Sequence, residues 1–235
     1  MKTIGLIGGM SWQSTSLYYS AINEGVKQGL GGLHSAKVCL YSVDFHEIEQ
    51  LQHVGKWRET AAILAQAAQA VEAGGADLFL ICTNTMHKVA TEVEVAVKIP
   101  LLHIADATAK QLLAHSMTKV GLLGTAFTMQ QEFYKGRLSQ DFGIEVLVPS
   151  AEQQTMIHEV IYQELCLGII NHDSKQKYLD VIQDLFNQGA QAVRDTIRGM
   201  EDMREQIQDT SKRIKRLGES SQRIGDIVAL IDDIA

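Results

Sequence analysis

The residues best suited to chemistry form a short run, Cys82-Thr83-Asn84-Thr85, directly after an apolar segment. We predict that this segment is a buried strand, so the run would lie where the strand ends and a helix begins. Backbone N–H groups at a helix N-terminus lower the pKa of a thiol and bind carboxylates. Threonine and asparagine side chains would add uncharged donors. The run therefore predicts a reactive thiol in an anion-binding site, and the alternative is a buried cysteine with a structural role.

Two glycine-containing turns could supply further anion contacts. Residues 8–12, Gly-Gly-Met-Ser-Trp, follow the first apolar segment, and residues 124–128 place Thr125 and Thr128 after a similar one. Neither turn is a G-x-G-x-x-G dinucleotide fingerprint. Each alone is typical of an ordinary α/β turn, whereas two such turns facing one cleft favour a small anionic ligand.

The other cysteines and histidines are weaker candidates. His87 could tune a Cys82 thiolate, or it could lie on a helix surface. Cys39 falls inside a predicted strand and Cys166 on an apolar helical face, so we expect both in the core rather than at a reactive site. The histidines have no metal-ligand spacing, so we expect no metal site.

The elements that would position these residues alternate between strands and helices, which predicts a parallel α/β fold. Strands are predicted at 3–9, 36–45, 76–85, 99–108, 119–128 and 143–149, and helices at 14–27, 56–75 and 177–190. Because residues 119–128 repeat the pattern of residues 3–12, we expect two related lobes. The first lobe would be residues 1–108, which contain Cys82, and the second, incomplete lobe would be residues 109–193. The carboxyl ends of the strands in both lobes would face one cleft.

Residues 194–235 have a different pattern. From Met200 to Ala235, apolar and small residues alternate at spacings of three and four, with charged residues between them. This spacing is the a/d seam of a heptad repeat. It predicts a helical tail that buries its seam by association with other copies, so we expect a homo-oligomer such as a dimer.

Composition limits the classes of function. The 235 residues, 46% of them hydrophobic, suffice for one large α/β domain or two lobes. A net charge of -7 argues against nucleic-acid binding, and no apolar run reaches the length of a membrane span. The N-terminal residues lack a signal-peptide pattern, and the irregularly spaced cysteines indicate a reducing compartment. We therefore expect a cytoplasmic protein.

Six motifs resemble those of the aspartate/glutamate racemase family: GLIGGMSW, VDFHEIE, CTNTMHK, HIADAT, LLGTAFTM and ELCLG, in order up to about residue 193. The resemblance implies two pseudo-symmetric lobes and a cofactor-independent racemase that interconverts L- and D-forms of acidic amino acids. It also implies proton transfer by two cysteines, the first being Cys82. The implied substrate contacts are Met10, Gln52, Thr83, Asn84, Thr85, Thr125 and Thr128.

The chemistry explains why two thiols are required. Inversion at Cα removes a proton from one face of the substrate and returns one to the other, and a single base cannot reach both faces. Uncharged donors and helix dipoles would hold the α-carboxylate while charge develops on it. No metal or pyridoxal cofactor is then needed.

The second cysteine that the resemblance implies is missing. Residues 186–193 read as a helix end, a turn at Gly189-Ala190 and the approach to a buried strand. A cysteine would be expected near 196–197, where the chain has Thr196 and Ile197, and none follows Cys166. Residues 194–235 instead resemble a helical segment of methyl-accepting chemoreceptors of the type IV pilus kind. We expect this tail to replace the end of a racemase.

Three interpretations remain open. The chain is a racemase with an incomplete catalytic pair, an amino-acid-binding module without turnover, or a signalling-type fusion whose tail drives assembly. A racemase inverts configuration, a binding module only saturates, and an assembly fragment changes mass when it is cut at Val193. In the first two interpretations the partner is a small amino acid, with no nucleic acid or membrane involved.

Overall fold

A computed structural model describes residues 1–190 of the chain. Residues Met1–Leu185 form one compact unit, and a second unit begins at Phe186. The predicted tail at 194–235 and the expected site of the second cysteine lie outside the described residues. The division into lobes at 1–108 and 109–193 stays a prediction.

The first sheet is a parallel three-stranded sheet with β1 (Thr3–Gly8) in its centre, between β2 (Lys37–Ser42) and β3 (Leu78–Ile81). Ile4 of β1 lies opposite Val38 on one side and Leu78 on the other. Parallel neighbours need crossover connections, which here contain helices. The apolar residues at the end of β1 are fully buried, as expected for a strand covered on both faces.

Helices surround this sheet. They are α1 (Trp12–Leu30), α2 (Phe45–His53), α3 (Trp57–Ala73), a 3-10 helix at Thr85–Val89, α4 (Ala90–Glu94) and α5 (Ile104–Ala114). On α3 the buried apolar positions are Ala61, Leu64, Ala67, Ala68 and Val71, the spacing of a helical face turned to a core. This face packs with the β1 and β3 side chains in the first hydrophobic core.

The second sheet has two parallel strands in the described residues, β4 (Lys119–Gly121) and β5 (Glu145–Leu147). The helices around it are α6 (Ala126–Gln130), α7 (Glu132–Phe142), α8 (Ala151–Gln163), a 3-10 helix at Leu165–Leu167 and α9 over residues 172–190. The predicted α/β class with parallel sheets is confirmed.

Several predicted boundaries are wrong, the largest error being the strand at 99–108. There Leu101 makes one isolated bridge to Phe79, and α5 begins at Ile104. His103 explains the change, because its side chain accepts a hydrogen bond from the Ala105 N–H and caps the helix. Similarly, β4 ends at Gly121 and the Thr125 side chain caps α6, so the strand predicted at 119–128 covers three residues.

The turn predicted at Gly189-Ala190 is also wrong, because α9 continues through residue 190. A glycine inside a helix costs about 1 kcal/mol relative to alanine, which weakens a helix without ending it. Alanine is the strongest helix former, so Ala190 favours continuation.

Candidate active site

A cavity of about 170 Å³ lies beyond the carboxyl ends of β1 and β3. Its walls come from the loop after β1, the start of α1, both ends of α2, the residues after β3 and the start of α6. The end of α8 and the 3-10 helix that follows it complete the lining. All seven predicted substrate contacts line it: Met10, Gln52, Thr83, Asn84, Thr85, Thr125 and Thr128. Their role in binding stays a prediction, but the structure brings them together at one place.

The sequence analysis missed six further lining residues: Ser11, Ser14, Phe45, Ile161, Tyr162 and Cys166. Ser11, Phe45 and Cys166 lie inside GLIGGMSW, VDFHEIE and ELCLG, so these motifs contained the signal. Ile161 and Tyr162 lie on the amphipathic helix α8, where lining residues cannot be separated from core residues by sequence pattern.

The two weaker cysteine candidates have different outcomes. Cys39 is partly buried on β2 and packs against the first core, as predicted. The expectation that Cys166 lies in the core is wrong, because it is half-buried and lines the cavity. The physical reason is that α8 ends at Gln163, so Cys166 does not continue its apolar face.

The loop after β1 is held by Thr15 of α1. The Thr15 hydroxyl accepts a hydrogen bond from the Gly9 N–H at 2.9 Å and donates to the Ser11 carbonyl at 3.0 Å. Gly9 has a φ of 95°, and a Cβ there would lie 2.1 Å from the Val43 carbonyl oxygen. Only glycine fits this position, so the conformation presents Met10 and Ser11 to the cavity.

Three threonine hydroxyls of the cavity lining form a chain, called here the hydroxyl cluster: Thr85, Thr125 and Thr128. The Thr85 and Thr125 oxygens are 2.9 Å apart, and the Thr125 and Thr128 oxygens are 3.2 Å apart. The cluster joins the residues after β3 to the start of α6. Because the two contacts use two of the three hydroxyl hydrogens, one hydrogen remains to donate to a ligand.

Cys82 is fully buried and is absent from the described lining of the cavity. Its N–H donates to the Ile7 carbonyl at 2.9 Å, and its carbonyl accepts from the Ser14 hydroxyl at 3.3 Å. Burial raises the pKa of the Cys82 thiol to about 12. The predicted low pKa of the Cys82 thiol is therefore wrong, because loss of hydration raises this pKa more than the N–H groups of the short 3-10 helix that follows lower it. Cys82 is a protonated thiol at neutral pH.

His87 is buried rather than on a helix surface. Its Nδ1–H donates to the Thr83 carbonyl at 2.8 Å, and its Nε2 accepts from the Ile104 N–H at 3.4 Å. Burial, reinforced by His103, lowers the pKa of His87 to about 3, so the ring is neutral. Its hydrogen bonds position Thr83 against α5 and do not reach Cys82.

A second wall, called here the tyrosine wall, is formed by Phe45, Gln52, Tyr162 and Cys166. The Tyr162 ring stacks on Phe45 with centroids 6.1 Å apart, and its hydroxyl donates to Gln52 Oε1 at 3.0 Å. Gln52 Nε2 donates to the Met86 sulfur. Burial raises the pKa of Tyr162, with Cys166 contributing. The polar groups of Gln52 and Tyr162 therefore already bond to other protein groups.

The described lining contains no Asp, Glu, Lys or Arg. Within residues 1–190, no three His, Cys, Asp or Glu side chains are arranged to hold a metal ion. In the same part of the chain, every helix is too short or too polar to cross a membrane.

The model of the Asp/Glu/Hydantoin racemase family matches residues 7–212. The chain belongs to this family. A crystal structure from Yersinia pestis, provisionally described as an Asp/Glu racemase, is 55% identical with a TM-score of 0.74, over 80% of this chain and 82% of that one. The broad specificity amino-acid racemase RacX of Bacillus subtilis is 27% identical over 158 residues, 65% of this chain and 67% of RacX. The predicted resemblance to the racemases is confirmed.

A separate match concerns a short stretch. Over 40 residues, 17% of this chain, the sequence is 82% identical to Protein PilJ of Pseudomonas aeruginosa. The chain spans only 6% of the length of PilJ. The predicted resemblance to chemoreceptors of the type IV pilus kind is confirmed as sequence similarity over these 40 residues.

Proposed function

We propose that the cavity binds the substrate of a cofactor-independent amino-acid racemase and that Cys82 is one of its proton-transfer groups. The observation that carries the proposal is the convergence of the loop after β1, the Thr83–Thr85 run and the hydroxyl cluster on one cavity. Ser14 lines that cavity and bonds to the Cys82 carbonyl, so Cys82 lies directly behind the wall.

The hydroxyl cluster suits the α-carboxylate of an amino acid. Its free hydroxyl hydrogen and the side chains of Thr83 and Asn84 are neutral donors, which stabilise a carboxylate without a competing cation. As the Cα–H bond breaks, negative charge develops on that carboxylate, and donors already in position lower the barrier. Acidic amino acids are the substrates that the family resemblance favours.

Cys82 acts in this scheme as the proton donor of the pair. With its pKa near 12, the thiol holds its proton at neutral pH and can return it to one face of Cα. Removal of a proton from Cα requires the Cys82 thiolate instead, and burial makes this thiolate scarce at neutral pH. A proton acceptor for the other face must come from elsewhere, and the chain has no cysteine after Cys166. Loss of one acid/base partner lowers rates by about 10²–10⁴-fold, so we expect slow racemisation.

Chiral chromatography tests the proposal. The full chain is incubated with L-aspartate or L-glutamate, and formation of the D-enantiomer is followed for the native chain and for Cys82→Ser. The matched control is Cys39→Ser, which changes a thiol packed against the first core, away from the cavity. We expect slow conversion that Cys82→Ser abolishes and Cys39→Ser leaves unchanged. Equal conversion by all three chains would refute the role of Cys82.

A second candidate is a binding module without turnover. The raised pKa of Cys82 and the missing second cysteine favour it, because both hinder removal of a proton from Cα while leaving the cavity intact. Such a module would saturate with an amino acid and convert none of it. The assembly role expected for the tail concerns residues outside the described part and stays a prediction.

A further inference from the structure

We infer that His158 is a positioning residue for the candidate active site, which holds the start of α6 where it places Thr125 in the hydroxyl cluster. The inference rests on the proposed function and deepens it by naming a residue that controls ligand binding at the same cavity. His158 is absent from the described lining of the cavity, so it acts through the residues that it contacts.

The first of these contacts is a hydrogen bond between α8 and α6. The Ala126 N–H donates to His158 Nδ1 at 3.2 Å. Ala126 is the first residue of α6, where a backbone N–H has no partner inside its own helix. Because Thr125 directly precedes Ala126 as the helix cap, the bond to His158 also fixes where the Thr125 side chain lies.

The Thr125 hydroxyl is the middle member of the hydroxyl cluster. Its oxygen lies 2.9 Å from that of Thr85 and 3.2 Å from that of Thr128. It also accepts a hydrogen bond from the Thr128 N–H at 3.4 Å. A shift in the start of α6 therefore disturbs all three hydroxyls, which the proposed function assigns to the α-carboxylate of the ligand.

The His158 ring also contacts the tyrosine wall. Its centroid lies 4.7 Å from that of the Tyr162 ring and 5.9 Å from that of the Phe127 ring on α6. The Tyr162 hydroxyl in turn donates to Gln52 within the same wall. One side chain therefore touches the tyrosine wall with its ring and holds the hydroxyl cluster through its Nδ1 atom.

The bond to Ala126 exists only while His158 is neutral. Nδ1 can accept a hydrogen bond in the neutral ring, whereas in the protonated ring both nitrogens carry a hydrogen. Burial lowers the pKa of His158 below its ordinary value of 6.5. The ring is therefore neutral at pH 7, and the bond is lost as the pH falls through a value below about 6.5.

The titratable groups that face His158 come from α2 and α8. On α2, His53 adds to the lowering of the His158 pKa, and its own ring lies 3.5 Å from the Glu49 carboxylate. On α8, Glu159 raises the pKa of His158, and Tyr162 packs on its ring. No residue of α6 has a titratable side chain. Burial outweighs the effect of Glu159, so the neutral ring is favoured.

Two substitutions of His158 separate its hydrogen bond from its ring packing. His158→Asn keeps an acceptor oxygen close to the place of Nδ1, lacks the ring and does not titrate. His158→Phe keeps a ring against Tyr162 and lacks the acceptor. Isothermal titration measures the affinity of the full chain for L-aspartate and L-asparagine at pH 7. We expect His158→Phe to weaken binding about fivefold, as for the loss of a typical hydrogen bond, and His158→Asn to stay within about twofold of the native chain.

The matched control is Gln130→Ala at the other end of α6. The Gln130 amide donates to Gln154 on α8 at 3.1 Å, so this change removes a bond between the same two helices without touching Ala126. Gln130→Ala should keep the native affinity. Weakening as large as that of His158→Phe would show that any attachment of α6 to α8 has the same effect, and it would overturn the inference.

The dependence of affinity on pH is a readout that a purely structural role of His158 would not change. The charges of L-asparagine stay constant between pH 7 and pH 5. Over this range the native affinity should fall at least about twofold, whereas that of His158→Asn should stay constant, because its acceptor does not gain a proton. All other histidines are the same in both chains, so the difference belongs to position 158. Identical pH profiles would overturn the inference.

Hydrogen exchange of the Ala126 N–H, followed by NMR, tests the contact without a ligand. At pH 7 this hydrogen should exchange about fivefold faster in His158→Phe than in the native chain, because it loses its partner. His158→Asn should restore the slow exchange. Equal exchange in the native chain and in His158→Phe would overturn the inference.

The outcomes separate the inference from the proposed function. Native affinity in His158→Phe, with an unchanged circular dichroism spectrum, would overturn the inference and leave the proposed function standing. Failure of both amino acids to bind the native chain would overturn the proposed function together with this role of His158. If His158→Phe fails to fold, the pH profiles of the native chain and of His158→Asn still decide the matter.

Discussion

Replacement of Thr15 by valine tests how the loop after β1 is held. The Thr15 side chain is 4% exposed and keeps nearly the same shape as valine, so the change leaves no cavity. It removes the bonds to the Gly9 N–H and the Ser11 carbonyl. The Ser11 carbonyl keeps a bond from the Thr15 N–H at 3.2 Å, whereas the Gly9 N–H loses its partner. A buried unpaired donor costs about 1–3 kcal/mol, so Thr15→Val should lower the free energy of unfolding by that amount.

Urea denaturation followed by circular dichroism measures this change. The control is Thr155→Val on α8, where the exposed hydroxyl bonds to the Ala151 carbonyl. Because both changes replace threonine by valine in a helix, the difference in helix propensity cancels. Thr155→Val should change the free energy by no more than about 0.5 kcal/mol. Equal effects of the two substitutions, at an unchanged slope against urea, would refute the reasoning. Thr15→Val should also weaken amino-acid binding, since Met10 and Ser11 depend on this loop.

Three further predictions concern the thiols, the buried histidines and the tail. Alkylation at neutral pH, mapped by mass spectrometry, should modify Cys166 before Cys82, because Cys82 is fully buried with a pKa raised to about 12; rapid labelling of Cys82 would contradict the described burial. Burial lowers the pKa of His87 to about 3 and that of His103 to about 4. The two neutral rings therefore contribute fully to stability above the unfolded-state pKa of about 6.5, and this contribution is lost as the pH falls toward 4. The urea concentration at the midpoint of unfolding should drop between about pH 7 and pH 5. A midpoint that does not change with pH in this range would contradict this. Light scattering should give a larger assembly for the full chain than for one cut at Val193, and equal association states would argue against assembly through the tail.

All seven contacts were implied by the family resemblance, and six of them also come after parallel strands, so a physical reason could place those six near one another; Gln52, at the end of α2, rests on the resemblance alone. Motifs that directly follow parallel strands meet at one edge of a sheet, so Met10 and Thr83 are brought together by the pairing of β1 with β3. Thr125 and Thr128 follow the same rule in the second sheet. The sequence pattern thus predicts which residues meet without predicting how deeply each is buried.

Depth of burial accounts for the main errors. The pKa of Cys82 depends on the packing of α1 over it, which a strand-to-helix pattern does not specify. Cys166 faces the cavity because α8 ends at Gln163, a boundary that helical periodicity places only within a few residues. The helix cap at His103 was missed because histidine is an uncommon capping residue.

The central claim is that Cys82 transfers a proton to and from a substrate held in the cavity, and exchange of the substrate Cα–H for deuterium tests it most directly. The full chain and Cys82→Ser are incubated in D₂O with each enantiomer of asparagine and of aspartate, and Cα–H loss is followed by NMR. With one thiol, we expect exchange of one enantiomer with little inversion. The rate should rise about tenfold per pH unit between pH 7 and pH 9, as the thiolate fraction grows, and Cys82→Ser should abolish it. Exchange that persists in Cys82→Ser, or that is absent for every enantiomer in the native chain, would contradict the claim.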